Sequence, residues 1–209
     1  MMLIRHRGYE PKVDRTTYIA PTSTLVGKVT VGPHGRVMFG AVVNAESSEI
    51  TIGKYAIISE NAVLRGNRSS TDLPVHIGDH VFIGPHATLL GCTVDSCTYI
   101  ATGATVLQGA KIGSGAVIAV GALVHAMTVI PSGFFVPPFS IAIGDPVTLY
   151  SPDQLEAVSE AIRKVGFAKA AFGIEGTFAE RKDLYQMTTT IRADQYAAHF
   201  QDVVLDPLD

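Results

Sequence analysis

The stretch AKIGSGAVIAVGALV, Ala110–Val124, decides how this chain folds. Its large aliphatic residues Ile112, Ile118 and Val124 recur at a step of six, and Gly and Ala fill most positions between them. The same step runs outward in both directions, from Ile19, Leu25, Val31, Val37 and Val43 at one end to Ile130 at the other. An ordinary sandwich or doubly wound sheet would space its turn signals at roughly 8 to 12 residues instead. A hexapeptide with one inward aliphatic residue is the signature of a parallel β-helix, in which each short strand stacks on the strand one coil below. Three strands per coil predict the left-handed form, and the positions from Ile19 to Ile130 predict roughly six coils.

Breaks in the step mark where the chain leaves the coil. Between Val43 and Ile52, around NAESSE, and between Leu64 and Ile77, around GNRSSTDLP, polar and turn-forming residues predict two external loops. The step from Leu89 to Val94 is one residue short, which predicts a tight corner at Leu90, Gly91 and Cys92. After Pro131 the repeat fades through SGFFVPPFS, read as a cap over the last coil. A helix follows, with Ser151 as N-cap, Pro152 at its first position and Leu155, Val158, Ile162 and Val165 at helical spacing. It is expected to lie along the side of the prism. The expected organisation is a capped β-helix over 1–148, a C-terminal helix over 149–172 and a tail over 173–209 that carries a second weak amphipathic stretch, Ile191 to Val204.

Composition narrows the function. At 209 residues the chain suits one domain with an appendage. Hydrophobic residues make up 47% and charged residues 17%, apolar enough to predict surface buried between subunits. A formal charge of −3 gives no electrostatic reason to expect nucleic acid or an anionic membrane as partner. No signal peptide is evident, and no run approaches the roughly 20 apolar residues of a membrane span, so a cytoplasmic protein is expected. Cys92 and Cys97 fit neither a redox pair nor a zinc knuckle and are read as free thiols.

Several motifs go further: YIAPTSTLVGKVTVG (Tyr18–Gly32), AVV before a loop and ITIG (Ile50–Gly53), PVHIGDHVFIG (Pro74–Gly84), LLGCTV (Leu89–Val94) and GDPV (Gly144–Val147). Together they resemble the γ-class carbonic anhydrases and their hexapeptide-repeat relatives, over about Tyr18 to Tyr150. The resemblance implies a homotrimer of left-handed β-helices with zinc held between subunits by three histidines. At those three positions this chain has Arg65, Pro85 and Leu90. Leu and Pro offer no side-chain donor, and a guanidinium remains protonated and repels a divalent cation. The family's supporting arginine and aspartate correspond to Asn44 and Glu46, and its polar pair before the first ligand to Ser59 and Glu60. No metal or other cofactor is therefore expected at this degenerate site, and Arg65 is expected to pair with Glu60 or Glu46 in place of the missing cation.

His80 and His86 fall on different faces of a three-sided coil and do not chelate one metal within a chain. His86, next to Pro85, is the one residue through which a displaced zinc site with another chain is conceivable; a hydrogen-bonding role is the simpler reading. Val26, Asn44, Arg65, Leu90, Leu107 and His125 form one outward column, whose leucines predict an apolar trimer contact. Two functions follow. The first is a γ-carbonic-anhydrase-like protein without zinc-dependent hydration of carbon dioxide, acting as a binding or structural subunit and able to assemble with a related subunit. The second is an acyl-CoA-dependent acyltransferase of the hexapeptide-repeat type, with His86 or His125 as general base. Neither a catalytic nor a cofactor-binding residue is fixed by spacing alone.

Overall fold

The computed structural model describes residues 1–68, 72–166 and 181–205. The hexapeptide positions close into three parallel sheets, the faces of a left-handed β-helix. On the first face Leu3, Leu25, Val43, Leu64, Leu89, Val106, Val124 and Ala142 stand in register, one above the other. Val13 to Ile130 form the corresponding column on the second face and Ile19 to Val136 on the third. Leu25, Leu64, Leu89, Ile58, Ile83, Ile100 and Ile118 are fully buried, so the axis of the helix is one continuous aliphatic column. Burying one such side chain contributes about 1.5–3 kcal/mol, which is what opposes the entropy of ordering so many short strands.

Seven strands on the second and third faces, rather than six, replace the expected coil count. The extra length lies at both ends. Leu3 and Val13 join the columns although the ten residues from one to the other break the step of six. At the far end the SGFFVPPFS segment is not a cap: Phe135–Val136 and Ile141–Ile143 pair in parallel with the coil beneath. Closure comes instead from Thr148–Tyr150, which runs antiparallel to Ile141–Ile143.

Both loops leave the coil where expected. In the second, Asn67–Arg68 and Asp72–Leu73 form a small antiparallel pair. The short corner beside it has a steric reason. Gly91 adopts φ +48, and a Cβ there would lie 2.8 Å from Leu73 Cβ and 2.9 Å from the Leu73 carbonyl oxygen.

Helix α1, Leu155–Val165, starts later than expected, after Gln154 and without a side-chain cap. Ser151 is not its N-cap because its backbone is used in a turn, accepting from the Gln154 N–H and donating to Gln154 Oε1 at 2.8 Å. None of its residues is buried, and its main contact is with Ile141–Ile143 at the closed end rather than along the side of the prism. The remainder of the expected helix, 167–172, lies outside the described residues. The tail holds helix α2, Arg181–Tyr196, a 3-10 turn, Ala197–Gln201, and a strand, Val203–Leu205. No helix among the described residues is long and apolar enough to cross a membrane.

The two cysteines differ sharply. Cys92 is buried and its thiol is pushed up to about 12 by that burial, whereas Cys97 is exposed. A thiol reagent at about pH 8 is expected to modify one cysteine per folded chain, Cys97, and two in denaturant. Fast reaction of both in the folded protein would contradict this placement of the corner.

Candidate functional site

Polar residues that the repeat does not use gather where the two ends of the chain meet. Met2–Arg5 lies parallel to Thr24–Val26 and antiparallel to Val203–Leu205, with Leu3 opposite Leu205 and Arg5 opposite Val203. The tail thus adds the last strand to the first face and brings the 3-10 turn over the first coils. His6 follows directly and exchanges both backbone hydrogen bonds with Tyr9, which fixes its direction. Its residue is 1% exposed.

The first loop supplies the acid. Asn44 Oδ1 accepts the Glu46 N–H at 2.8 Å and Asn44 Nδ2 donates to Glu46 Oε1 at 2.9 Å, folding the chain so that Glu46 takes φ 52. Arg65, one coil beyond Asn44 in register, donates from Nη2 to Glu46 Oε1 at 3.1 Å and to the Tyr196 hydroxyl. Its guanidinium lies 5.0 Å from the centre of the Tyr196 ring. Of the two carboxylates expected to pair with Arg65, Glu46 is the one in contact.

Asp202 joins the ends of the chain. Its Oδ1 contacts His6 Nδ1 at 2.6 Å and its Oδ2 contacts His199 Nδ1 at 2.7 Å. The two imidazoles stack with centroids 4.2 Å apart. His199 Nε2 lies 3.2 Å from Glu46 Oε1, while His6 Nε2 is buried without a hydrogen-bond partner among the described residues. Burial alone pulls the His199 pKa down, but its hydrogen bonds to Asp202 and Glu46 and their charges outweigh burial and hold it above the ordinary value. For Asp202 burial raises the pKa, and the bonds from His199 and His6 overcome that and hold it low.

The other residues expected at a site are distributed differently. Leu90 is Arg65's register neighbour on the next coil, and Pro85 occupies the corner before that strand, half-buried. As a set, Arg65, Pro85 and Leu90 do not fit a divalent cation: the only polar group among them is a cation already engaged with Glu46. Ser59 and Glu60 instead line an open groove of about 680 Å³ with Arg36, Met38 and Phe82. His86 is exposed, and its backbone N–H donates to the Glu60 carbonyl. His80 stacks with Tyr55, which stacks in turn on His34, so it belongs to a corner ladder of rings. His125 continues the outward column but is 4% exposed, and desolvation by burial lowers its pKa against a backbone hydrogen bond at Ala126. Val26, in the same column, is also buried. His6, Tyr196, His199 and Asp202 were not expected at a site; the sole sequence signal was a His and an Asp three apart within a weakly amphipathic stretch.

The fold and its repeat define a hexapeptide-repeat left-handed β-helix protein. The curated relatives are gamma carbonic anhydrases and related proteins. The chain is 36% identical over 126 residues to gamma carbonic anhydrase 1, mitochondrial, of Arabidopsis thaliana, covering 59% of this chain and 46% of that one. It is 43% identical over 98 residues to gamma carbonic anhydrase 3, mitochondrial, of the same plant, covering 46% and 38%. The chain thus spans half or less of the length of these curated relatives. A crystal structure of a hexapeptide transferase family protein from Anaplasma phagocytophilum matches with TM-score 0.52 at 20% identity, over 93% of this chain and 96% of that one, a likeness of fold. No family model matches the chain.

Proposed function

We propose that this chain is a γ-carbonic-anhydrase-like protein, cytoplasmic and homotrimeric, that does not hydrate carbon dioxide through zinc at the family's position and serves as a binding or structural subunit, alone or with a related subunit. The observation that carries this reading is the engagement of Arg65 with Glu46 beside a donorless Leu90. Zinc acidifies a water toward neutrality only when neutral or anionic ligands hold it with one position open. Here the stacked pair on the first face is a cation and an alkyl chain, so neither ligand field nor bound hydroxide arises there. The half-buried Leu90 and Leu107 beside it form the apolar strip through which we propose the subunits meet.

Stopped-flow hydration of carbon dioxide tests this. The protein, supplied with equimolar zinc, is expected to give the rate of buffer alone, and Arg65→His with Leu90→His is expected to add zinc affinity at the first face. Turnover by the unsubstituted protein would end this reading.

A further inference from the structure

The cluster at the chain ends has a feature that an ion pair does not explain. Both imidazole Nδ1 atoms point at one carboxylate, Asp202. A carboxylate at neutral pH only accepts, so each Nδ1 carries the proton and each Nε2 is left to face the opposite way. His199 Nε2 lies 3.2 Å from Glu46 Oε1 as a donor, and its proton is released to solvent when a cation takes its place; His6 Nε2, on a side chain that is 0% exposed, has no partner among the described residues. A buried lone pair without a donor calls for an electrophile.

We infer that His6 Nε2, His199 Nε2 and the Glu46 carboxylate form a site for a divalent transition-metal cation of the zinc class, built within one chain when the C-terminal segment docks on the first coils. One ligand atom from each of these three residues lies within 4.8 Å of the others. For ligands at about 2.0–2.2 Å in tetrahedral array the edge is roughly 3.3 Å. The His199–Glu46 separation of 3.2 Å already matches that edge, and the other edges close by at most about 1.5 Å. Asp202 supplies the carboxylate–histidine support that fixes tautomer and direction in such sites, here for two rings at once. Two imidazoles and one carboxylate suit zinc, cobalt or nickel rather than calcium or magnesium, which prefer oxygen. Arg65 is the opposing charge. It shares Glu46, but its guanidinium is also tied to the Tyr196 hydroxyl and ring.

The ligands are not the family's ligand positions Arg65, Pro85 and Leu90, although the site adjoins them through Glu46, which Arg65 also contacts; the inference goes beyond the proposed function. The test is titration of zinc, and of cobalt with its visible absorption, into full-length protein without a histidine tag, after chelator treatment. One ion per chain is expected. His199→Gln and Glu46→Gln are each expected to weaken binding at least tenfold, and Asp202→Asn by 10- to 100-fold. Arg65→Gln is expected to tighten it, because it frees Glu46 from a competing cation. His86→Ala is expected to change nothing. Circular dichroism melts confirm that each variant is folded, and His199→Gln, at a ring 32% exposed, is the variant best placed to fold. Binding that is absent, or that survives both His199→Gln and His6→Ala unchanged, overturns the inference; the cluster is then an imidazolium clamp. Bound zinc without hydration leaves the proposed function standing, and hydration that disappears with His199→Gln overturns that function while supporting this site.

Discussion

Leu89→Ala is expected to destabilise the folded chain by about 2–5 kcal/mol, read from the midpoint of denaturant unfolding. Leu89 is 0% exposed and stands in register between Leu64 below and Val106 above. A globular core can partly collapse around a lost side chain, but here each coil brings only three inward side chains to the axis, one from each face, and contacts only its neighbours. The walls of the cavity are strands tied by backbone hydrogen bonds above and below, so they cannot close in. Leu90, one residue on, points out of the same strand and is only half-buried. Leu90→Ala is expected to lose under about 1 kcal/mol from the single chain. Equal losses at the two positions would show that the inward and outward columns are misassigned.

That contrast also shows why most of the fold was legible. Ile112, Ile118 and Val124 recur at six because each coil must return an aliphatic residue to the axis three times, and the requirement is written into local sequence. It becomes illegible where the chain satisfies the axis by another route. Leu3 and Val13 escape the reading because the turn through His6 and Tyr9 interrupts the step, and Val136 and Ala142 because the prolines and aromatic residues of SGFFVPPFS suggest a cap. Proline is tolerated in such coils at the corners, where no ladder hydrogen bond is lost. Ser151 read as an N-cap because the sequence around it has the right residues; the turn to Gln154 takes them up instead.

The site divides in the same way. Asn44, Glu46 and Arg65 were legible because they sit on or beside successive coils, where register follows from counting. The contribution of the tail was not, since His6 and Asp202 are 196 residues apart and no period connects them. Only the antiparallel pairing of Val203–Leu205 with Met2–Arg5 puts them together.

Asp202 is accordingly the residue whose loss should separate the ends of the chain. Asp202→Ala is expected to raise amide exchange across Val203–Leu205 and the 3-10 turn by roughly 30-fold or more, equivalent to about 2 kcal/mol of local docking free energy. The magnitude follows from two hydrogen bonds, to His6 at 2.6 Å and His199 at 2.7 Å, made by a side chain only 20% exposed. Removing the carboxylate leaves His6 buried with neither ring nitrogen paired among the described residues, so part of the cost is the desolvation of that ring rather than the lost bonds themselves. The tail can relieve this only by lifting away and admitting water. The coils beyond it should be unaffected, because solenoid coils couple mainly to their neighbours. Amides of Val94, Ile112 and Ile130 on the second face therefore serve as the internal reference, and their exchange should match that of the unsubstituted protein. Faster exchange everywhere would mean that Asp202 supports the fold as a whole; unchanged exchange in the tail would mean that its strand pairing alone holds the ends together.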